Sequence, residues 1–174
     1  MRHGRGWAWR FRHQLLRDSK QLTPQQRETV EPVIREAALE LAVVEITADQ
    51  INHRGLGWAN KEVFRRLALM IEADGYCCDG RLNIESSRKI HSLVGGDALI
   101  PAISAASIVA KVHRDALMRE LHGGAPDYNW HSNKGYGVPL HREAIMRVGT
   151  HAQHRNVFIA SMLQGELDLI ASEN

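Results

Sequence analysis

Tyr76-Cys77-Cys78-Asp79-Gly80 and Ile90-His91-Ser92-Leu93-Val94-Gly95-Gly96-Asp97 are the two stretches that decide the fold. Each is a short apolar run closed by glycine and aspartate, the pattern of a strand that ends in a tight turn. Downstream the period changes: from about Ser104 to Leu121 the chain is alanine-rich with helical spacing, stopped by Gly123-Gly124. Upstream, Thr23-Pro24-Gln25-Gln26 supplies an N-cap, a first-turn proline and the glutamine of a capping box. Val30, Val33, Ile34, Ala37, Ala38 and Leu41 follow at helical spacing. Ala42 to Ile46 is a β-branched run and reads as a strand. A second capping box, Thr47 to Gln50, opens a short helix. Gly55 and Gly57 break it before a helix over 60–72, carried by Val63, Phe64, Leu67 and Ile71. A polar loop over 127–137, a helix over 139–148 and an amphipathic helix over 158–170 complete the chain. Strands alternating with helices predict an α/β domain.

With 174 residues, 44% of them hydrophobic, the chain is long enough for one well-cored domain over 1–174. The composition excludes collagen, a disulfide scaffold and bulk disorder. No apolar run approaches the roughly 18–20 residues that span a bilayer, so no membrane partner is expected. The two cysteines are the neighbours Cys77 and Cys78, which cannot make a disulfide framework; they read as part of a buried strand in a reducing cytoplasm.

The formal charge of +2 conceals an uneven distribution. Residues 1–17 hold five arginines and no acid, whereas residues 156–174 hold three acids and no base. In the basic head, Trp7, Trp9, Phe11 and Leu15 alternate with Arg10, Arg12 and Gln14, a strand period with one basic face.

Two kinds of chemistry are visible. Asp79 and Asp97 each follow an apolar strand and adjoin glycine, a common way to present a carboxylate to a hard cation. Tyr128, Trp130, His131, Asn133, Lys134 and Tyr136 interleave aromatic and basic side chains on one loop, which suits stacking on sugars or bases and neutralising phosphates. Of the histidines between His122 and His154, His151 and His154 have ligand-like spacing. Without a nearby carboxylate or cysteine pair, they read as solvated or phosphate-facing. Asp115, beside Arg114, reads as an ion-pair residue.

Taken in order, these motifs join others. Asp18-Ser19-Lys20-Gln21-Leu22, Cys78-Asp79-Gly80, Gly96-Asp97, Ile103-Ser104-Ala105-Ala106-Ser107-Ile108-Val109-Ala110-Lys111, Arg114-Asp115, Asn133-Lys134-Gly135-Tyr136-Gly137 and His154-Arg155-Asn156-Val157-Phe158 closely resemble bacterial ribonuclease HII, the type 2 ribonuclease H. The match runs from about residue 18 to residue 158. The resemblance implies a ribonuclease H-like mixed sheet flanked by helices, with a helical C-terminal part. It implies an endonuclease that hydrolyses the phosphodiester 5′ of a ribonucleotide in an RNA–DNA hybrid or in duplex DNA. Four carboxylates of that family hold two divalent ions, Mg²⁺ or Mn²⁺, and two of the four match Asp79 and Asp97. Gly4, Arg5 and Gly6 match the segment whose backbone reads the ribose 2′-OH. Tyr136 matches the tyrosine that packs on the neighbouring deoxyribose. Lys20 and Lys134 match phosphate contacts, and Ser104 and Ser107 would support the phosphate path less directly. The resemblance further implies a cytoplasmic monomer.

The head departs from this pattern. With Gly4-Arg5-Gly6 aligned, the family's first two carboxylates fall on Met1 and Arg2, and the first strands are shortened or missing. Gly95 stands where the family has lysine. The head thus reads as a truncated or aberrant N-terminus, of the kind a displaced reading frame leaves. Two of four ligands predict impaired catalysis, with a junction-binding protein or a gene fragment as the alternatives to an active nuclease.

Overall fold

Threonine side chains start two helices where the sequence predicts them. The Thr23 hydroxyl accepts the Gln26 amide at 3.2 Å and the Gln26 side chain accepts the Thr23 amide at 2.8 Å, so two amides that the first turn leaves unpaired are satisfied reciprocally. Thr47 and Gln50 repeat the device, both bonds at 3.2 Å. The computed structural model of the chain describes residues 22–162 and 164. Its elements are α1 (Pro24–Ala37), α2 (Ala48–Arg54), α3 (Leu56–Met70), β1 (Tyr76–Asp79), β2 (Ile90–Leu93), α4 (Gly96–Leu99), α5 (Pro101–Gly124), a 3-10 turn (Pro126–Tyr128), α6 (Trp130–Asn133) and α7 (Pro139–Val148). Residues 156–162 form a further helix, α8. The strand expected in the basic head and the end of the last expected helix lie outside the described residues.

β1 and β2 pair in parallel, with Tyr76 opposite Ile90 and Asp79 opposite Leu93. Among the described residues the sheet is this parallel pair, with no antiparallel strand of the expected mixed sheet. The Ser92 hydroxyl ties down the connection between the strands: it donates to the Gly80 carbonyl and accepts the Leu82 amide at 2.8 Å. The Gly80 amide also reaches the Leu93 carbonyl at 2.8 Å. The turn after Asp79 is therefore clamped to the end of β2.

Three expectations need correction. Residues 42–46 are extended but join no sheet; Leu41 and Val43 instead pack against Ile34, Ile108 and Val109. A β-branched run satisfies its hydrophobicity by packing on helices as well as by pairing. Gly57 does not separate two helices. Gly55, at φ +84°, ends α2 by itself, and α3 starts at Leu56. A side chain at 57 would meet open space, so this glycine costs only helix propensity. The loop over 127–137 contains the 3-10 turn and α6, joined at Asn129 with φ +52°. Asparagine tolerates that left-handed geometry, which lets two short helical turns follow one another.

The described chain divides into two compact units. One comprises residues 22–44 and 61–114, the other residues 45–60 and 115–162. The first centres on Ile34, Ile108 and Val109, with Ile108 wholly shielded from solvent. The second centres on Tyr128, Trp130, Ala144, Ile145, Ile159 and Met162. No described helix is long and apolar enough to cross a membrane.

Candidate active site and nucleic-acid interface

In the first unit, the strand pairing and one glycine bring the two candidate ligands together. β1 delivers Asp79 to its C-terminal end. After β2 the chain turns through Gly95 at φ +70° into α4, whose first turn carries Asp97. The Gly96 amide donates to Asp79 Oδ1 at 2.9 Å, so a single peptide group separates the Asp79 carboxylate from Asp97. Gly96 is buried because the approach leaves no room: a Cβ there would lie 2.8 Å from Ile103 Cδ1 and 3.6 Å from Asp79 Cα. Both aspartates stay half-exposed, able to meet solvent or a ligand. Beneath them Cys78 is buried, and that burial pushes its thiol pKa up. Strand alternation leaves Cys77 exposed, so the cysteine pair is not wholly buried as expected.

The donor set has the right chemistry for a hard cation but is incomplete. Carboxylate oxygens suit Mg²⁺ or Mn²⁺, yet among the described residues no three histidines, cysteines or acids gather as a metal site. Two carboxylates do not offset the mutual repulsion of two divalent ions. Gly4, Arg5, Gly6 and Lys20 lie outside the described residues.

α5 holds Ser104 and Ser107 one helical turn apart. Ser104 is 1% exposed and is a packing residue rather than a surface contact. Ser107 is half-buried, and its hydroxyl donates to the Ile103 carbonyl at 2.9 Å.

In the second unit, the backbone of residues 133–138 is held at most of its polar groups while Tyr136 stays 61% exposed. Lys134 and Gly135 take positive φ, +52° and +76°. Asn133 is buried and bonds in both directions, its side chain donating to the Tyr128 carbonyl at 2.6 Å and accepting the Gly135 amide at 2.8 Å. His141 Nδ1 lies 2.9 Å from the Tyr136 carbonyl, and Arg142 Nε donates to the Gly137 carbonyl at 2.8 Å. A Cβ on Gly137 would stand 3.0 Å from the Phe158 ring. The Lys134 ammonium caps the His131 carbonyl. Rigid backbone under an exposed ring and an ammonium group is the physical form of a stacking and phosphate-contact surface.

His154 corrects another expectation. It is 6% exposed and faces His141 rather than solvent or phosphate. Burial, then the neighbouring His141 and His151, pull its pKa down to about 4. Of the pair His151 and His154, His151 alone is exposed. Of the residues that hold the Tyr136 loop, Asn133 belongs to the loop set read above for stacking and phosphate contact, whereas His141 and Arg142 drew no reading of their own from sequence. One signal for His141 was available, since it shares a helical face with Ala144 and Ile145 at i+3 and i+4, and that face is the buried one.

The backbone matches the crystal structure of the ribonuclease H2 from Pyrococcus horikoshii OT3 with a TM-score of 0.67 over 84% of this chain and 79% of that one. At 20% sequence identity the likeness speaks for the fold, an α/β fold of the ribonuclease H2 type. A family model described as Ribonuclease HII matches residues 9–161. A ribonuclease HII of Wolbachia sp. subsp. Drosophila simulans (strain wRi) is 40% identical over 146 residues, covering 82% of this chain and 73% of its own length. One from Clostridium acetobutylicum is 33% identical over 155 residues, 85% of this chain and 59% of its own. The chain belongs to the ribonuclease HII family, a family of nucleases acting on RNA–DNA hybrids.

Proposed function

We propose that this chain recognises ribonucleotides in RNA–DNA hybrids and in duplex DNA, and hydrolyses the phosphodiester on their 5′ side at a metal-dependent site built on Asp79 and Asp97. The observation that carries this reading is the bond from the Gly96 amide, next in the chain to Asp97, to the Asp79 carboxylate at the end of a parallel strand pair. Mg²⁺ or Mn²⁺ would supply Lewis acidity and an activated water there. Asp79 and Asp97 provide oxygen ligands but not the full complement for two ions, so the rate depends on how much of the carboxylate set the chain retains. Tyr136, on its braced loop, packs on the sugar next to the ribonucleotide, and Lys134 neutralises a phosphate. Gly4, Arg5 and Gly6 read the ribose 2′-OH. The protein acts as a cytoplasmic monomer.

The incomplete ligand set favours a second reading, in which the chain binds such junctions without cutting them at a useful rate. One assay separates the two. An end-labelled duplex with a single ribonucleotide is incubated with the protein and Mn²⁺ or Mg²⁺. Cleavage 5′ of the ribonucleotide that disappears in Asp79→Asn supports the nuclease. Salt-sensitive binding without cleavage supports the binder. Neither cleavage nor binding overturns both.

A further inference from the structure

The core of the second unit contains a polar chain that an apolar core would not need. His141 is 1% exposed and His154 6%, wedged against the stacked Tyr128 and Trp130 rings. Burying imidazoles among aromatic and aliphatic groups is unfavourable unless every polar atom is satisfied. Here every one is, and the donors leave only one arrangement of protons. The His151 backbone amide can only donate, and it lies 2.8 Å from His154 Nδ1, so His154 carries its proton on Nε2. That proton points at His141 Nε2, 3.1 Å away. The Trp130 indole, also a donor only, reaches the same nitrogen at 3.2 Å. His141 Nε2 is therefore an unprotonated acceptor that faces both donors. The His141 proton must then sit on Nδ1, where it donates to the Tyr136 carbonyl. Asn52 secures the far end, donating to the His154 carbonyl at 3.0 Å and accepting the Asn156 amide at 2.7 Å.

We propose that His141 is a positioning residue for Tyr136: the neutral chain from the His151 amide through His154 to His141 sets the tautomer that grips the Tyr136 carbonyl, and so sets the direction of the exposed ring. What the ring touches rests on the function proposed above; the grip itself does not. His141 and the neighbouring Arg142 hold two successive carbonyls from the first turn of one helix. Those bonds fix the loop's rotation as well as its place.

Two measurements test this. In the first, ¹⁵N NMR of the histidine side chains at neutral pH reads the tautomers directly. Nδ1–H on His141 with Nε2–H on His154 supports the grip, and Nε2–H on His141 overturns it. In the second, binding of a fluorescent duplex is measured in EDTA, with and without one ribonucleotide. His141→Asn places an amide donor near the Nδ1 position and retains most of the preference for the ribonucleotide. His141→Gln places it near Nε2 and lowers the preference about fivefold, the loss of one neutral hydrogen bond. In Tyr136→Ala, adding His141→Gln costs nothing further, because the residue acts through the ring. Equal losses in the two single variants, or additive losses in the double variant, overturn the proposal.

Should His141→Gln melt at the growth temperature, Asn52→Ala loosens the same chain from its outer end without opening the core. It shifts the Gly135, Tyr136 and Gly137 amide resonances if the chain sets the loop, and unmoved resonances overturn the proposal. A wild-type protein without ribonucleotide preference overturns the function assigned to Tyr136. The tautomers and the Asn52→Ala shifts then decide the grip alone.

Discussion

At the residue scale, three positions separate folding from function. Asp79 accepts the Gly96 amide through one oxygen, and asparagine keeps that acceptor while losing the negative charge. Asp79→Asn therefore abolishes metal-dependent cleavage with a melting temperature within a few degrees of wild type, checked by gel assay and calorimetry together. Gly96→Ala does the reverse. Its methyl group meets Ile103 Cδ1 at 2.8 Å, and overpacking of this kind costs about 1–3 kcal/mol, read as a lower denaturation midpoint. Tyr136→Ala leaves the midpoint unchanged, since the ring is exposed. It weakens binding to a ribonucleotide-bearing duplex by about 1–3 kcal/mol if the ring stacks there.

At the element scale, caps and the buried histidine pair set local stability. The Thr23 and Thr47 boxes each satisfy two amides; Thr23→Ala or Thr47→Ala lowers the unfolding free energy by about 1 kcal/mol in denaturant titrations. His154 makes the helical second unit acid-sensitive. Its folded pKa of about 4 lies below the ordinary imidazole value of 6.5, so between these values the unfolded chain binds a proton that the folded chain refuses. The stability from this neutral burial is complete above pH 6.5 and is lost as pH falls toward 4, by on the order of 3 kcal/mol. His154→Gln flattens that part of the stability–pH curve. An unchanged slope would show that another group carries it.

At the scale of the whole molecule, charge matters through its distribution. Five arginines lie in residues 1–17 and the net charge is only +2, so duplex binding falls steeply with salt through local contacts rather than through net attraction. Lys134→Ala reduces the slope of log affinity against log salt by roughly one, one phosphate contact's worth. An unchanged slope removes Lys134 from the phosphate path. How far these features could be read in advance depends on the range of the interaction. The capping boxes, the two strands, the long α5 helix, the candidate pair Asp79 and Asp97, and the family were legible in the sequence, because these depend on residue type and spacing along the chain. The sequence misled at residues 42–46 and His154, where burial against distant residues overrode local pattern. Only the tertiary structure decided that Gly96 must be glycine, that Ser104 is inside, and that His141 holds Tyr136. Each of these is a matter of what meets a side chain across space, and hydrogen bonding and packing carry no signature in a neighbour's identity until the fold has chosen the neighbour.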